Sequence, residues 1–359
     1  MKKLVRIAAL VAALGFALVF VGCSNSSDSS SALTQITPTT PTTPTTPTGG
    51  GTGTDNGEGQ QTGGGNGNEQ TTVTASCDYK KVDTVTINGV EYDIVVFGLW
   101  PQTIKADSVT VDKNTCQKED HGAFTYCKGS DGQWYVEQAE KAYESDYKYS
   151  DGTTTVGQGG TSTKWFKVEP IKWRVLTNSY GGNKLLLAES ILIAKCYDDD
   201  KNNYKDSEIR AWLIGDFFQS AFTAAQQSAI PTTTVDNSAA STTDAGGKLT
   251  QATKYKCDNT SDKIFLLSEK EVTTSAYGFA AFNSYGAGNK RIRVTTDFAK
   301  ATGAFQNSTA GMGGWWWLRS PYYESDSGAR NVDRTGNALS YIYIYRTDGG
   351  VVPALSIAN

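Results

Sequence analysis

The sharpest constraint on this chain is a change of composition near residue 76. From residue 24 to about 75 there is hardly a large apolar side chain. Thr37-Pro38-Thr39-Thr40-Pro41 opens a Thr-Thr-Pro repeat that runs to Pro47. Gly49-Gly50-Gly51 and Gly63-Gly64-Gly65 then punctuate a Gly/Asn/Gln/Thr stretch. Such a segment cannot bury enough apolar surface to offset its conformational entropy. Residues 23–75 are therefore expected to form a disordered stalk. Its Pro-Thr part is a semi-rigid spacer and its Gly-rich part a flexible coil, with a reach on the order of 50 Å. Everything able to build a core lies in residues 76–359, where aromatic and β-branched residues become frequent.

Ahead of the stalk, Met1-Lys2-Lys3 is basic, Leu4 to Val21 is apolar, and Phe20-Val21-Gly22-Cys23 ends the run. A basic start, a short apolar core and a small residue before the cut describe a secretory signal peptide over residues 1–22. The cysteine after Gly22 makes the site resemble a lipobox, with Phe20 matching the looser spirochaete pattern. That resemblance implies diacylation of Cys23 and attachment to a membrane by lipid. An uncleaved anchor fits less well. The apolar run is at the lower edge of spanning length, and no Lys or Arg follows it as a stop signal. The expected location is the bacterial cell envelope, at the outer membrane or cell surface.

Charge and chemistry-bearing residues narrow the function classes. The net charge is −4 with no basic patch, which argues against nucleic acid as a partner. There is one histidine, His121, and no CxxC, so a Cys/His zinc site is not expected. Beyond Cys23 the cysteines are Cys77, Cys116, Cys127, Cys196 and Cys257, an odd set. Cys116 and Cys127 flank a loop and form the best intramolecular pair, with unlinked thiols as the alternative. No nucleophile elbow or phosphate loop occurs, Glu169, Glu208 and Asp216 follow no hydrolase spacing, and no cofactor is implied. Asp198-Asp199-Asp200-Lys201-Asn202-Asn203 lacks the Gly and closing Glu of an EF-hand, and reads as a solvated acidic loop.

Local patterning predicts mostly strands. Asn88-Gly89 between Thr84–Ile87 and Val90–Phe97 signals a hairpin. Ile171–Leu176 and Lys184–Ala188 form a second pair across Tyr180-Gly181-Gly182-Asn183. Ile209, Trp212, Leu213 and Phe217 give a helix from about Ser207 to Phe218. Thr223 with Gln226, and Ser268 with Glu271, are capping boxes. Ile264–Leu267 is a buried strand. Ala329–Arg334, Leu339–Tyr345 and Val351–Ile357 are expected as strands near the end.

Six segments resemble a family of uncharacterised bacterial exported domains, numerous in treponemes and gut Firmicutes. They are Phe97-Gly98-Leu99-Trp100-Pro101-Gln102, Trp173-Arg174-Val175-Leu176, Ser207 to Leu213, Asp262 to Ser268, Trp316-Trp317-Leu318-Arg319-Ser320-Pro321, and Gly350-Val351-Val352-Pro353-Ala354-Leu355. The order of elements also resembles the C-type lectin-like fold in the subtype of formylglycine-generating enzyme. The cysteine pair near the C-terminus of that enzyme has no counterpart here, since the last cysteine is Cys257. The expected class is α+β, with mixed short-stranded sheets and two to four short helices. A β-rich extension over residues 76–168 would precede a C-type lectin-like domain over 169–359. A single unit over 76–359 is the alternative.

Two sites stand out. Trp315-Trp316-Trp317 places two tryptophans on one strand face and one on the other, with two of the three expected in the core. Arg319 either stacks on an indole or pairs with a buried carboxylate. In Tyr341-Ile342-Tyr343-Ile344-Tyr345 the isoleucines can face the core while the tyrosines face outward. With Tyr322, Tyr323, Asp326 and Asn331 they have the composition of a paratope. The expected function is non-catalytic binding of an extracellular protein or glycan by a surface-displayed lipoprotein. A cell-envelope enzyme and a structural coat lipoprotein are the alternatives. In cells fed labelled palmitate, Cys23→Ser is expected to abolish incorporation and shift the chain to the soluble fraction; labelling that persists would refute acylation at this residue.

Overall fold

Alternation of β-branched and aromatic residues with polar ones drives most of this chain into strands. The computed structural model describes residues 76–117, 122–242, 256–280, 290–309, 311–338 and 340–359. The leader, Cys23, the stalk to residue 75, His121 and Leu339 lie outside the described residues. Among the described residues no helix is long and apolar enough to cross a membrane.

The first strands are β1 (Lys80–Ile87), β2 (Val90–Ile104), β3 (Val111–Gln117), β4 (Tyr126–Gly129), β5 (Trp134–Ala139), β6 (Thr163–Tyr180), β7 (Asn183–Ala188), β8 (Ser190–Ile191) and β9 (Ile193–Ala194). After a helical region come β10 (Thr233–Val235), β11 (Thr260–Asp262), β12 (Ile264–Phe265) and β13 (Val294–Thr295). The chain closes with β14 (Trp316–Pro321), β15 (Gly328–Val332), β16 (Ser340–Tyr343), β17 (Gly350–Val351) and β18 (Ala354–Ile357). Short helices α1 (Glu208–Trp212), α2 (Phe218–Ala221), α3 (Ala224–Ala229), α4 (Ala239–Thr242) and α5 (Asp297–Ala301) complete an α+β architecture.

The larger sheet has nine strands, ordered β12-β18-β7-β6-β5-β4-β3, with β2 pairing both β6 and β1. A five-stranded sheet runs β16-β15-β14-β17-β9. Two small pairs, β10–β11 and β8–β13, lie outside them. The longest strand, β6, passes through residues 168 and 169 without a break.

Most local signals act where the sequence places them. Asn88 and Gly89 both take positive φ, 51° and 81°, and close the β1–β2 hairpin with Ile87 opposite Val90. Tyr180 pairs with Asn183 across Gly181-Gly182. Ser207 caps α1 by accepting the Arg210 N–H at 3.3 Å. The helix expected to end near Phe218 runs through a π-helical turn, Leu213–Phe217, and on through α2. The wider turn keeps Leu213 and Phe217 buried together. Thr223 and Gln226 form the complete capping box of α3.

Two expectations are corrected. Val351–Ile357 is two strands: β17 joins the five-stranded sheet and β18 the nine-stranded one. Pro353 lies between them and has no N–H to give a ladder, so the chain changes sheets there. All three tryptophans of the triple are buried, rather than two. Each indole N–H finds an acceptor, which makes full burial tolerable: Asp348 for Trp315 at 3.2 Å, the Arg291 carbonyl for Trp316 at 3.2 Å, and the Lys195 carbonyl for Trp317 at 2.8 Å.

The six segments lock onto one another. The Trp173 indole donates to the Phe97 carbonyl at 2.8 Å. Arg210 grips Asp262 with Nε and Nη2, at 2.6 Å for the shortest contact. The Arg319 N–H donates to the Leu267 carbonyl, and the Ser320 hydroxyl accepts the Glu269 N–H. Gly350 donates to the Trp315 carbonyl at 3.1 Å. Beside it, a Cβ on Gly349 would collide with the Trp317 indole nitrogen, so only glycine fits.

Arg319 chooses the carboxylate over the indoles. It is fully buried and pairs with Glu271, while donating to the Leu266 carbonyl at 2.8 Å. Glu271 also accepts from the Tyr180 hydroxyl at 2.9 Å and the Ser268 N–H at 2.7 Å. Burial alone would raise the Glu271 pKa, but the Arg319 charge and these donors outweigh it and hold it below the ordinary value. A depressed native pKa contributes stability above the unfolded value and loses it as pH falls toward the native one. The folded chain is therefore expected to weaken below about pH 4.3, and Glu271→Gln to flatten that slope in urea titrations. Glu271→Ala, which strands the arginine charge, is expected to cost about 3–5 kcal/mol.

Candidate functional site

The aromatic alternation near the C-terminus becomes a shelf at the outer strand of the five-stranded sheet, where the strand expected to run to Tyr345 ends at Tyr343 and leaves Tyr345 in the turn that follows. Ile344 is buried, while Tyr341, Tyr343 and Tyr345 are 48%, 52% and 54% exposed. β16 lies antiparallel to β15, with Arg330 opposite Tyr341 and Gly328 opposite Tyr343. Tyr341 and Tyr343 are two residues apart and so share a face.

Their rings are ordered by stacking. Tyr341 lies on Tyr322 at 3.7 Å between centroids and 5° between planes. Tyr343 lies parallel to Tyr345 at 5.4 Å. Tyr323 packs against Tyr322 at 5.1 Å. Behind them the Arg330 guanidinium sits 5.3 Å from the ring centroids of both Tyr322 and Tyr323. Its Nε lies 3.1 Å from the buried Glu269 carboxylate, which fixes its position. Tyr322 itself is largely covered and serves as backing rather than outer surface. Its hydroxyl donates to Glu324, and that bond, with partial burial, holds its pKa above the ordinary tyrosine value.

The acidic loop holds this shelf from below. Its expected solvation is corrected for Asp198 and Asn202, which are both buried. One Asp198 oxygen accepts the N–H groups of Asp200 and Lys201, and the other accepts that of Glu208. The Asn202 side-chain amide donates to the carbonyls of Tyr322 at 3.3 Å, Ser325 at 2.9 Å and Gly328 at 2.8 Å. The Asn202 N–H also donates to the Asp326 carbonyl at 2.9 Å. The Ile344 carbonyl accepts from the N–H groups of Tyr197 and Asp198. Such satisfied local bonds give a preorganised loop. Among the described residues no His, Cys, Asp or Glu cluster is placed to hold a metal.

Of the residues singled out in the sequence, Asp326 is exposed in the loop that leads from Tyr322 and Tyr323 to β15. Asn331 is not part of the surface. β15 lies between β14 and β16, and Asn331 is 2% exposed with its side-chain oxygen unpaired among the described residues. An interior strand covered on both sides leaves it no route to a ligand. Cys116 and Cys127 are joined by a disulfide between β3 and β4, far in sequence from the shelf. Sequence reasoning missed Arg330 and Asn202. The strand alternation that sets Arg330 opposite Tyr341 offered a signal for the first. The carbonyls held by Asn202 lie 120 or more residues away, so no local pattern marks it.

Other chemistry is dispersed. Glu169 accepts from the Thr103 hydroxyl at 2.6 Å, while Glu208 accepts from the Cys196 thiol at 3.4 Å. Burial, with Asp198 and Asp199 nearby, raises the Glu208 pKa. A cleft of 460 Å³ lies elsewhere, between the Glu144–Lys148 and Phe305–Ser308 segments.

A domain of unknown function, DUF6273, covers residues 181–359. No curated protein and no solved structure matches the chain. The matched region holds the whole shelf and both segments that support it. Asn202→Ala is expected to cost about 1–3 kcal/mol by leaving buried carbonyls unpaired. Amide exchange over residues 322–328 should quicken well before global unfolding; unchanged exchange there would show that Asn202 does not hold the loop.

Proposed function

We propose that this chain is a lipid-anchored, surface-displayed binding protein whose DUF6273 region recognises an extracellular protein or glycan without catalysis. The observation that carries this reading is the set of exposed tyrosines on and just after a terminal strand, each stacked on a neighbouring tyrosine ring. Large, rigid, amphipathic rings give contact area with little entropy lost on binding, and tyrosine is enriched among residues that dominate interfaces. The stalk composition and the lipobox-like Cys23 favour display away from a bilayer at the cell surface. Kinship with treponeme exported domains and with the C-type lectin-like fold belongs to the same reading. It is supported by the long β6–β7 hairpin, the helices after it, and the Gly-Val-Val-Pro-Ala-Leu ending that passes between sheets.

Convergent catalytic chemistry has less support. Glu169, Glu208 and Asp216 sit on β6, on α1 and in the π-helical turn, and the first two are engaged by different neighbours. The test uses the full chain in detergent on a glycan microarray and on immobilised extracellular-matrix proteins. Signals from the wild type should fall by more than about tenfold in a Tyr341→Ala/Tyr343→Ala/Tyr345→Ala variant, since aromatic anchors are each worth about 2 kcal/mol. Equal signals from both proteins would place any binding elsewhere.

A further inference from the structure

Among the described residues, the other edges of the two large sheets carry guards that β16 lacks. β1 carries Lys80, Lys81 and Asp83, and its register breaks between Lys81 and Asp83. β3 carries Asp112 and Lys113, and its register also breaks. β9 and β12 end their sheets with two residues each. Charges, bulges and shortness are the usual means of keeping an edge from pairing with another chain. β16 has none of the first two. Ser340-Tyr341-Ile342-Tyr343 contains no charge and no proline, and it keeps an unbroken register with β15 through four pairs.

The direction of its free groups follows from one bond. The Ile344 N–H donates to the Ser327 carbonyl at 3.1 Å. Antiparallel ladders alternate, so in this register Ile342 turns its backbone toward β15 while Tyr341 and Tyr343 turn theirs outward. Tyr341 thus offers an exposed ring with an outward N–H and C=O, and Tyr343 an exposed ring with an outward N–H, its carbonyl accepting the Arg346 N–H at 3.1 Å.

The surrounding charge selects the occupant. Asp199 and Asp200 follow Asp198, whose N–H is bound to the Ile344 carbonyl, and Asp326 is bound through its own carbonyl to Asn202. Asp200 is paired with Lys201 at 3.2 Å, whereas Asp199 and Asp326 have no ion pair among the described residues. The nearby cations are spoken for: Arg330 is buried against Glu269, and Arg346 is paired with Asp348 at 2.7 Å. Tyrosine faces and a carboxylate rim both favour positive charge.

We propose that β16 accepts an extended polypeptide segment as an added strand, with lysine or arginine at alternate positions lying over the tyrosine faces toward Asp199 and Asp326. This rests on the binding reading above and narrows its ligand from protein or glycan to a basic extended peptide. Main-chain bonds to Tyr341 and Tyr343 would give affinity, and the alternating cations would give selectivity.

The test measures binding of the full chain in detergent to two fluorescent peptides by anisotropy. One alternates lysine with threonine; the other alternates glutamate with threonine. The lysine peptide is expected to bind at least about tenfold more tightly, and its affinity to fall with added salt. Tyr343→Ala removes a ring but keeps the outward N–H. Tyr343→Pro removes both, at a position whose N–H is not used by the fold and whose predecessor is already extended. Strand addition therefore requires Tyr343→Pro to weaken binding several-fold more than Tyr343→Ala. Asp199→Asn with Asp326→Asn, which leaves the backbone alone, should weaken the lysine peptide and flatten its salt dependence. Equal affinity for the two peptides, or equal effects of the alanine and proline variants, overturns the inference. Tyrosine-dependent signals on the glycan array without lysine-peptide binding also overturn it, while leaving the shelf as a binding site. Self-association that is abolished by Tyr343→Pro and unaffected by the peptide overturns it in favour of a second copy as the occupant.

Discussion

The buried pair of Arg319 and Glu271 joins parts that belong to two different sheets. Arg319 belongs to β14 in the five-stranded sheet, and Glu271 follows β12 of the nine-stranded one. Tyr180, at the end of β6, reaches the same carboxylate. Two sheets and the turn between Ser268 and Thr273 thus converge on one largely buried ion pair. Such a pair gains little over a well-packed apolar contact, but breaking it leaves a charge with no partner. Its contribution is therefore to the specificity of the arrangement. Only one register of β14 against the Ile264–Ser268 segment satisfies both Arg319 and Ser320.

From that junction the shelf follows. With β14 placed, β15 is an interior strand and β16 its outer neighbour. Arg330 on β15 then stands behind Tyr322 and Tyr323, held by Glu269, two residues before Glu271. Asn202 ties down the loop between β14 and β15. A stacked set of rings held on fixed backbone loses little freedom on binding, which is the physical advantage of a preorganised surface. The buried residues are rigid so that the exposed ones can be few.

The local grammar of the chain was legible because it depends on neighbours in sequence. Asn88-Gly89, the Thr223–Gln226 box and the Ser268–Glu271 box each concern groups within four residues of one another, and each forms where the pattern puts it. The outward tyrosines were legible for the same reason, since alternation is a property of a single strand. The π-helical turn was not, because a helix of ordinary pitch satisfies the same apolar spacing. Neither was the division of the C-terminal segment. Pro353 warns of an interruption, but only the positions of β7 and β9 decide that β17 and β18 enter different sheets.

By itself the sequence determined the α+β class, the hairpins, the caps, the composition break near residue 76, and the faces on which Tyr341, Tyr343 and Tyr345 lie. These rest on short-range sterics and hydrogen bonds that every copy of such a segment would share. Tertiary structure alone decided that all three tryptophans are interior and that Asn331 is covered. It alone joined Asn202 to carbonyls more than a hundred residues away. It also decided that the tyrosine strand is the unguarded edge of its sheet. An edge is a relation among strands, and no single strand carries the information that no described strand pairs with its far side.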